Sequence, residues 1–265
     1  LYNAVVSGIS LSGDRYFYTN PLESRGNHAR VPWFECACCP PNIARLIGSI
    51  ERYVAACTDE EFVIHVPAGL EADLSFRGVP TKITVESGYP WAGNAVVRVE
   101  PKSPVEFAIR IRIPDWSEDV RFDTPEEGGY ESGYAVFRRT WRPGDTIGIE
   151  LPMHPRWVSA HPRILDDLGR KALMRGPLLY CAEGPAELAP QQFVARDGPL
   201  EDVWDSDHGG AMSIRVPGGY IQSSSEEPYM DPRDIEEASG TLTMIPYYRW
   251  NNLGPAHMAT WLLRS

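Results

Sequence analysis

The sequence has no apolar run approaching the roughly 18 residues that cross a bilayer as a helix, and it has no excess of positive charge. Its 25 Lys and Arg stand against 36 Asp and Glu, a formal net charge of −11 at pH 7. Neither a membrane-spanning helix nor an electrostatic grip on nucleic acid or an anionic lipid surface is expected of such a chain. Cysteine is scarce and odd in number: Cys36, Cys38, Cys39, Cys57 and Cys181. Thiols crowded into Cys36, Cys38 and Cys39 do not make a disulfide framework. Reduced thiols or a metal site fit better, and both favour a reducing compartment such as the cytoplasm. No repeat of fixed period, low-complexity tract or histidine pair at i, i+4 is present; His65, His154, His161, His208 and His257 are dispersed. The first residue is Leu1 rather than Met, and Leu1-Tyr-Asn-Ala-Val-Val6 reads as the end of a helix. A chain that begins mid-protein is therefore expected, which leaves targeting unread.

What is present is ordinary globular composition, 43% hydrophobic and 23% charged, enriched in turn formers with 23 Gly and 24 Pro among 265 residues. From Phe62 onward the apolar period is two. Phe107, Ile109, Ile111 and Ile113 alternate with Ala108, Arg110 and Arg112, and Ile147, Ile149 and Leu151 alternate with Gly148 and Glu150. That is the pattern of strands with one buried face. Arg142-Pro-Gly-Asp145 and Glu127-Gly-Gly129 punctuate them as turns. The expected fold is mainly β, with sandwich-type domains. One covers 58–160, completed by the closing run at 256–265; the other covers 161–255, with long loops at 183–210 and 223–240. Residues 1–57 differ in texture. A hairpin is expected around Gly13-Asp14, and the one convincing helix follows the cysteines, where Ile43, Leu46, Ile47 and Ile50 form an apolar stripe. Pro40 and Pro41 suit its first turn, because a missing N–H would be unpaired there anyway.

The segment Trp33-Phe-Glu-Cys-Ala-Cys-Cys-Pro-Pro-Asn42 carries the most chemistry. Cys38 and Cys39 stand at the N-terminal end of the predicted helix, where unpaired N–H groups and the macrodipole favour thiolate over thiol. Thiolate is the form that attacks carbon or binds zinc. Buried packing is the plain alternative for a Cys-Pro-Pro start. A zinc site built from this chain alone lacks its usual second ligand pair, since Cys57 and Cys181 have no His or Cys at ligand spacing.

The run His28-Ala-Arg-Val-Pro-Trp-Phe-Glu-Cys-Ala-Cys-Cys-Pro-Pro-Asn-Ile-Ala-Arg45 closely resembles the cysteine motif of glycoside hydrolase family 127, the β-L-arabinofuranosidases. Leu1 to Gly8, Phe17-Tyr-Thr-Asn-Pro-Leu-Glu23, Gly88-Tyr-Pro-Trp91, Arg175-Gly-Pro-Leu-Leu-Tyr180 and Ile245-Pro-Tyr-Tyr-Arg-Trp-Asn-Asn252 look like later landmarks of that family, in order. The resemblance implies a helical (α/α)₆ barrel, of which residues 1–57 are the last part, followed by two β-sandwich domains. It implies Cys38 as nucleophile and zinc ligand, Cys39 as a second zinc ligand, and Cys36 as a non-binding neighbour. The implied reaction is retaining hydrolysis of plant-derived L-arabinofuranosyl or related pentose glycans, with sulfur in place of the usual carboxylate nucleophile. The family's acid/base Glu and its Glu-x-Cys ligand pair have no counterpart in residues 1–35. The zinc site is thus expected to be incomplete, and the chain inactive without an N-terminal portion of the same protein.

Tyr16, Tyr18, Asn20, His28 and Trp33 are candidate sugar contacts, each with a plainer reading as part of an aromatic strand, a loop or a core anchor. Glu35 is a weak stand-in for the missing acid, and Arg30 could line the same pocket. Trp91, Trp116, Trp141, Trp157, Tyr89 and Tyr130 invite a carbohydrate-binding reading that packing between sheets mostly explains. Asp202, Asp205, Asp207 and His208 could form a weak calcium or proton-handling cluster, although an acidic loop is commonly just solvated. The rival to the enzyme reading is a noncatalytic β-sandwich module that binds sugar or stabilises a partner.

Overall fold

The computed structural model describes residues 1–125, 128–206, 210–225 and 227–265. The chain is mainly β and divides into two compact units. One comprises Arg45–His154; the other joins Leu1–Ala44 to Pro155–Ser265.

Arg45–His154 is built from two five-stranded sheets. The first runs in the order Ala55–Cys57, Glu61–Ile64, Val105–Arg112, Tyr134–Trp141, Gly129–Glu131. The second runs Leu70–Phe76, Val79–Ser87, Asn94–Pro101, Asp145–Glu150, Arg121–Asp123. The period-two apolar residues do what their spacing predicts: Phe107, Ile109 and Ile111 are buried, as are Ile147, Ile149 and Leu151. Phe107 of one sheet stacks on Phe76 of the other at 3.8 Å between ring centres, and Trp141 donates its indole N–H to the Phe107 carbonyl. Burying such a ring is worth about 1.5–3 kcal/mol relative to exposure. The turn at Arg142-Pro-Gly-Asp145 closes by two hydrogen bonds between Arg142 and Asp145, with Gly144 at φ +88°. Glu127, in the other expected turn, lies outside the described residues.

The second unit is organised around a ten-stranded sheet in which Leu178–Gly184 pairs, along successive stretches, with Arg170–Arg175, Ile235–Pro246 and His257–Ala259. Three expectations are corrected here. The closing run does not return to the first β region: His257–Ala259 pairs with Glu23–Arg25 and Leu178–Gly184, and Trp261–Arg264 pairs with Arg170–Arg175 and Phe193–Ala195. Met258, Ala259 and Leu262 are fully buried in doing so, which fixes the strands there. The stretches expected as long loops contain the strands Phe193–Ala195 and Glu201–Asp205, and Ile235–Pro246 lies antiparallel to Ala211–Ser223 over ten register pairs. Residues 235–241 are exposed throughout, so no apolar alternation announces them. Finally, the helix after the cysteines covers only Cys39–Ile47, and Ile50 falls in the turn before the short helix Glu51–Val54.

Residues 1–44 are tied to the C-terminal sheet rather than standing apart from it. Glu23–Arg25 is one of that sheet's strands. Phe17, 1% exposed, sits in a core cluster with Cys181, Ile245, Tyr247, Trp250 and Met258.

Candidate active site

The cysteine segment is held from both ends. At its start Val31 exchanges two backbone hydrogen bonds with Tyr16, 2.8 and 3.1 Å, just beyond the turn in which Gly13 adopts φ +78°. At its end the helix begins at Cys39, with Pro40 and Pro41 in the first turn as their chemistry favours. The Asn42 side chain donates to the Cys38 carbonyl at 2.8 Å and so ties Cys38 to the first turn. Gly8 gives the helix room: a Cβ there would lie 2.2 Å from Ile43 Cδ1.

Three successive residues are sorted by burial: Phe17 is buried in the core, Tyr16 is half-buried, and Tyr18 is exposed beside Cys38. Tyr18 Oη lies 3.3 Å from Cys38 Sγ, and Cys38 Sγ lies 3.5 Å from Cys39 Sγ. The Tyr18 hydroxyl is the main reason that the Cys38 thiol is pulled below its ordinary value, with Cys39 second. The same bond to Cys38 pushes Tyr18 up to about 12 and is joined by repulsion from the cysteines. Cys39 moves up, chiefly because it hydrogen-bonds Cys38. Both shifts favour the proton on the phenol over the proton on Cys38, an exposed thiol in front of a helix N-terminus.

Of the predicted sugar contacts, Tyr18 meets this sulfur, and Tyr16 and Trp33 meet each other. Trp33 is 55% exposed and meets Tyr16 edge-on at 5.7 Å, while Tyr18 meets Phe34 edge-on at 5.5 Å. Asn20 instead donates to the Ala4 carbonyl at 3.2 Å. His28 is turned into the core cluster, its ring 4.9 Å from Phe17 and 5.8 Å from Trp250. Arg30, considered for a pocket, is buried, donating to the Ser7 carbonyl at 2.7 Å and the Trp250 carbonyl at 3.2 Å. Asn42, bonded to Cys38, and Phe34, packed on Tyr18, are not among the predicted site residues. Both lie inside the conspicuous motif, and Asn42 stands one helical turn from Cys38, the spacing that could have pointed to it.

The thiols can be tested as metal donors. Two sulfurs on a tetrahedral zinc stand about 3.8 Å apart for a Zn–S bond of about 2.3 Å. The 3.5 Å between Cys38 and Cys39 is close to that edge. Among the described residues, no group of three or more His, Cys, Asp or Glu forms around them, so the pair offers half of a four-ligand set. The acidic cluster fares differently: Asp202 is paired with Arg175 at 3.1 Å, and Asp205 accepts from Ser213 at 3.0 Å. Asp207 and His208 lie outside the described residues.

Comparison with known proteins covers nearly the whole chain. Residues 1–52 match the model of the β-L-arabinofuranosidase GH127 catalytic domain, 63–153 its middle domain, and 155–263 the glycoside hydrolase family 127 C-terminal domain. A non-reducing end β-L-arabinofuranosidase of Bifidobacterium longum subsp. longum is 34% identical across 95% of this chain, which corresponds to 42% of that protein. The crystal structure of a GH127 β-L-arabinofuranosidase from Geobacillus stearothermophilus T6 superposes with a TM-score of 0.90 at 31% identity, over 98% of this chain and 44% of that one. A second GH127 β-arabinofuranosidase structure gives a TM-score of 0.87 at 28% identity, again over 98% and 44%. The chain spans less than half the length of each of these relatives.

Proposed function

We propose that this chain, which belongs to glycoside hydrolase family 127 and corresponds to the C-terminal portion of its members, carries the nucleophile of a retaining glycosidase acting on non-reducing end L-arabinofuranosyl or related pentose glycans. In this reading residues 1–57 complete a helical barrel, and the two β regions are its sandwich domains. The observation that carries the proposal is the hydrogen bond between the Tyr18 hydroxyl and Cys38 Sγ at 3.3 Å, which favours the thiolate of an exposed cysteine at the start of a helix.

The sulfur's electron pair forms a bond to the anomeric carbon as the bond to the leaving oxygen breaks. That oxygen takes its proton from a carboxylic acid outside residues 1–265. Water, deprotonated by the resulting carboxylate, then displaces the sulfur, and Cys38 returns as thiolate. Two inversions give net retention. Cys38 and Cys39 would hold zinc together with ligands from elsewhere, and its contribution when bound is positive charge that keeps both thiols deprotonated. Tyr16 and Trp33 would orient the sugar face.

The test uses the complete protein. Cys38→Ser should lower turnover by at least about a thousandfold with the melting temperature unchanged. Residues 1–265 alone should hydrolyse no arabinofuranoside. Full activity in Cys38→Ser would overturn the nucleophile, leaving a noncatalytic module; turnover by the isolated chain would overturn the requirement for an N-terminal portion.

A further inference from the structure

We propose that Asn251, contributed by the C-terminal domain, is a positioning residue for the Cys38 site. Asn251 is 5% exposed, and its φ is +59°. That is the left-handed region, which asparagine tolerates better than other side chains do. From there its side-chain amide grips one segment twice: Oδ1 accepts from the Arg30 backbone N–H at 3.1 Å, and Nδ2 donates to the His28 carbonyl at 2.8 Å. Its own backbone N–H donates to the Glu183 carboxylate. The amide thus meets the 28–30 backbone as a neighbouring strand would, 221 residues away in sequence. Asn252 reaches the turn that precedes 28–30 in the chain through its Oδ1 alone, accepting from the Leu11 N–H at 2.9 Å.

Contacts run without a break from this grip to the sulfur. The Arg30 guanidinium lies 4.0 Å from the centre of the Phe17 ring, which stacks on Trp250 at 4.9 Å. Val31, next to Arg30, is paired with Tyr16, next to Phe17. Tyr18, on the other side of Phe17, holds Cys38. Releasing 28–30 frees the start of the cysteine segment and the segment that carries Tyr18 at once. The C-terminal domain thereby helps set where Tyr18 meets Cys38.

This inference rests on Cys38 being the reacting thiol, and its test needs no turnover, so either can fail without the other. In the chain as it stands, alkylation by iodoacetamide at one fixed pH is followed for each cysteine by fragmentation mass spectrometry. Asn251→Gly keeps the left-handed backbone accessible and removes only the amide. The expected result is that Cys38 alkylation slows at least threefold relative to exposed Cys57, while buried Cys181 stays protected. An unchanged ratio of Cys38 to Cys57 overturns the inference, and so does Cys181 becoming reactive in step with Cys38, which would show general loosening. If Asn251→Gly does not fold, Asn251→Asp, which keeps the side chain's shape and its acceptor but loses the Nδ2 donor to the His28 carbonyl, decides by the same ratio.

Discussion

Asn3 and Asn251 perform the same operation in opposite directions. Asn3 of the N-terminal segment accepts from the Leu179 N–H at 2.8 Å and donates to the Pro177 carbonyl at 3.0 Å. Asn251 does so to Arg30 and His28. Each amide bridges the carbonyl of one residue and the N–H two residues on, so the segment with the cysteines and the C-terminal sheet clasp each other reciprocally.

Asn3→Ala should therefore cost more than a surface change. It leaves the Pro177 carbonyl and the Leu179 N–H without their partner in a part-buried place, a loss of about 1–3 kcal/mol. Chemical denaturation of the chain checks it: the midpoint should fall with an unchanged slope. A shift within error would mean that water replaces the amide.

In the other unit, Gly93 is required by close approach rather than by φ. A Cβ there would lie 1.6 Å from the Leu151 carbonyl oxygen, which is backbone and cannot rotate away, and Leu151 also donates its N–H to the Gly93 carbonyl at 2.8 Å. Gly93→Ala should destabilise by about 3 kcal/mol, the upper end for overpacking, read as the melting temperature of the unit that holds Phe107 and Trp141. Gly78→Ala is the contrasting case, strained by its φ of +82° with nothing near its Cβ position.

The cysteine motif, the proline-led helix start and the period-two strands are legible in the sequence because each is a local pattern. Cys38 and Cys39 declare themselves by crowding, and Phe107 to Ile111 by alternation. What stays hidden is long-range or patternless. Nothing near His28 says that its ring stacks on Trp250, or that Arg30 is spent on the Ser7 and Trp250 carbonyls, because those partners are folded against it from elsewhere in the chain. The exposed arm 235–241 shows no period because neither face is buried. The closing strands, both short, could be assigned to either β region until their register was known.

Acid should find one defined pair. Lys171 is 4% exposed, lies 4.5 Å over the Trp157 ring, and is neutralised by Asp197 at 3.0 Å. That bond holds the exposed Asp197 carboxyl below its ordinary 3.8. A lowered folded value means that the carboxylate's contribution is present above the unfolded value and is lost as pH falls through the folded one. Melting temperature in the native chain should therefore fall more steeply below pH 3.8 than in Asp197→Asn, which should already be less stable at pH 7 because a buried ammonium has lost its counter-ion. Parallel acid limbs in the two proteins would refute the pairing.

Trp33 separates substrate binding from folding. It is 55% exposed and touches Tyr16 only edge-on, so Trp33→Ala removes little buried area, and the melting temperature should move by no more than about 1 °C. If its ring orients a sugar beside Cys38, the loss falls on binding of the substrate: an aromatic contact of about 0.5–1.5 kcal/mol corresponds to a KM raised roughly 2- to 13-fold in the complete protein, with kcat nearly unchanged. His28→Ala should behave in the opposite way, because its ring is packed against Phe17 and Trp250: stability falls first, and KM follows only as the segment loosens. A Trp33→Ala protein with unchanged KM and lowered stability would make Trp33 a packing residue, and the sugar face would then have to be read by Tyr18 and Phe34.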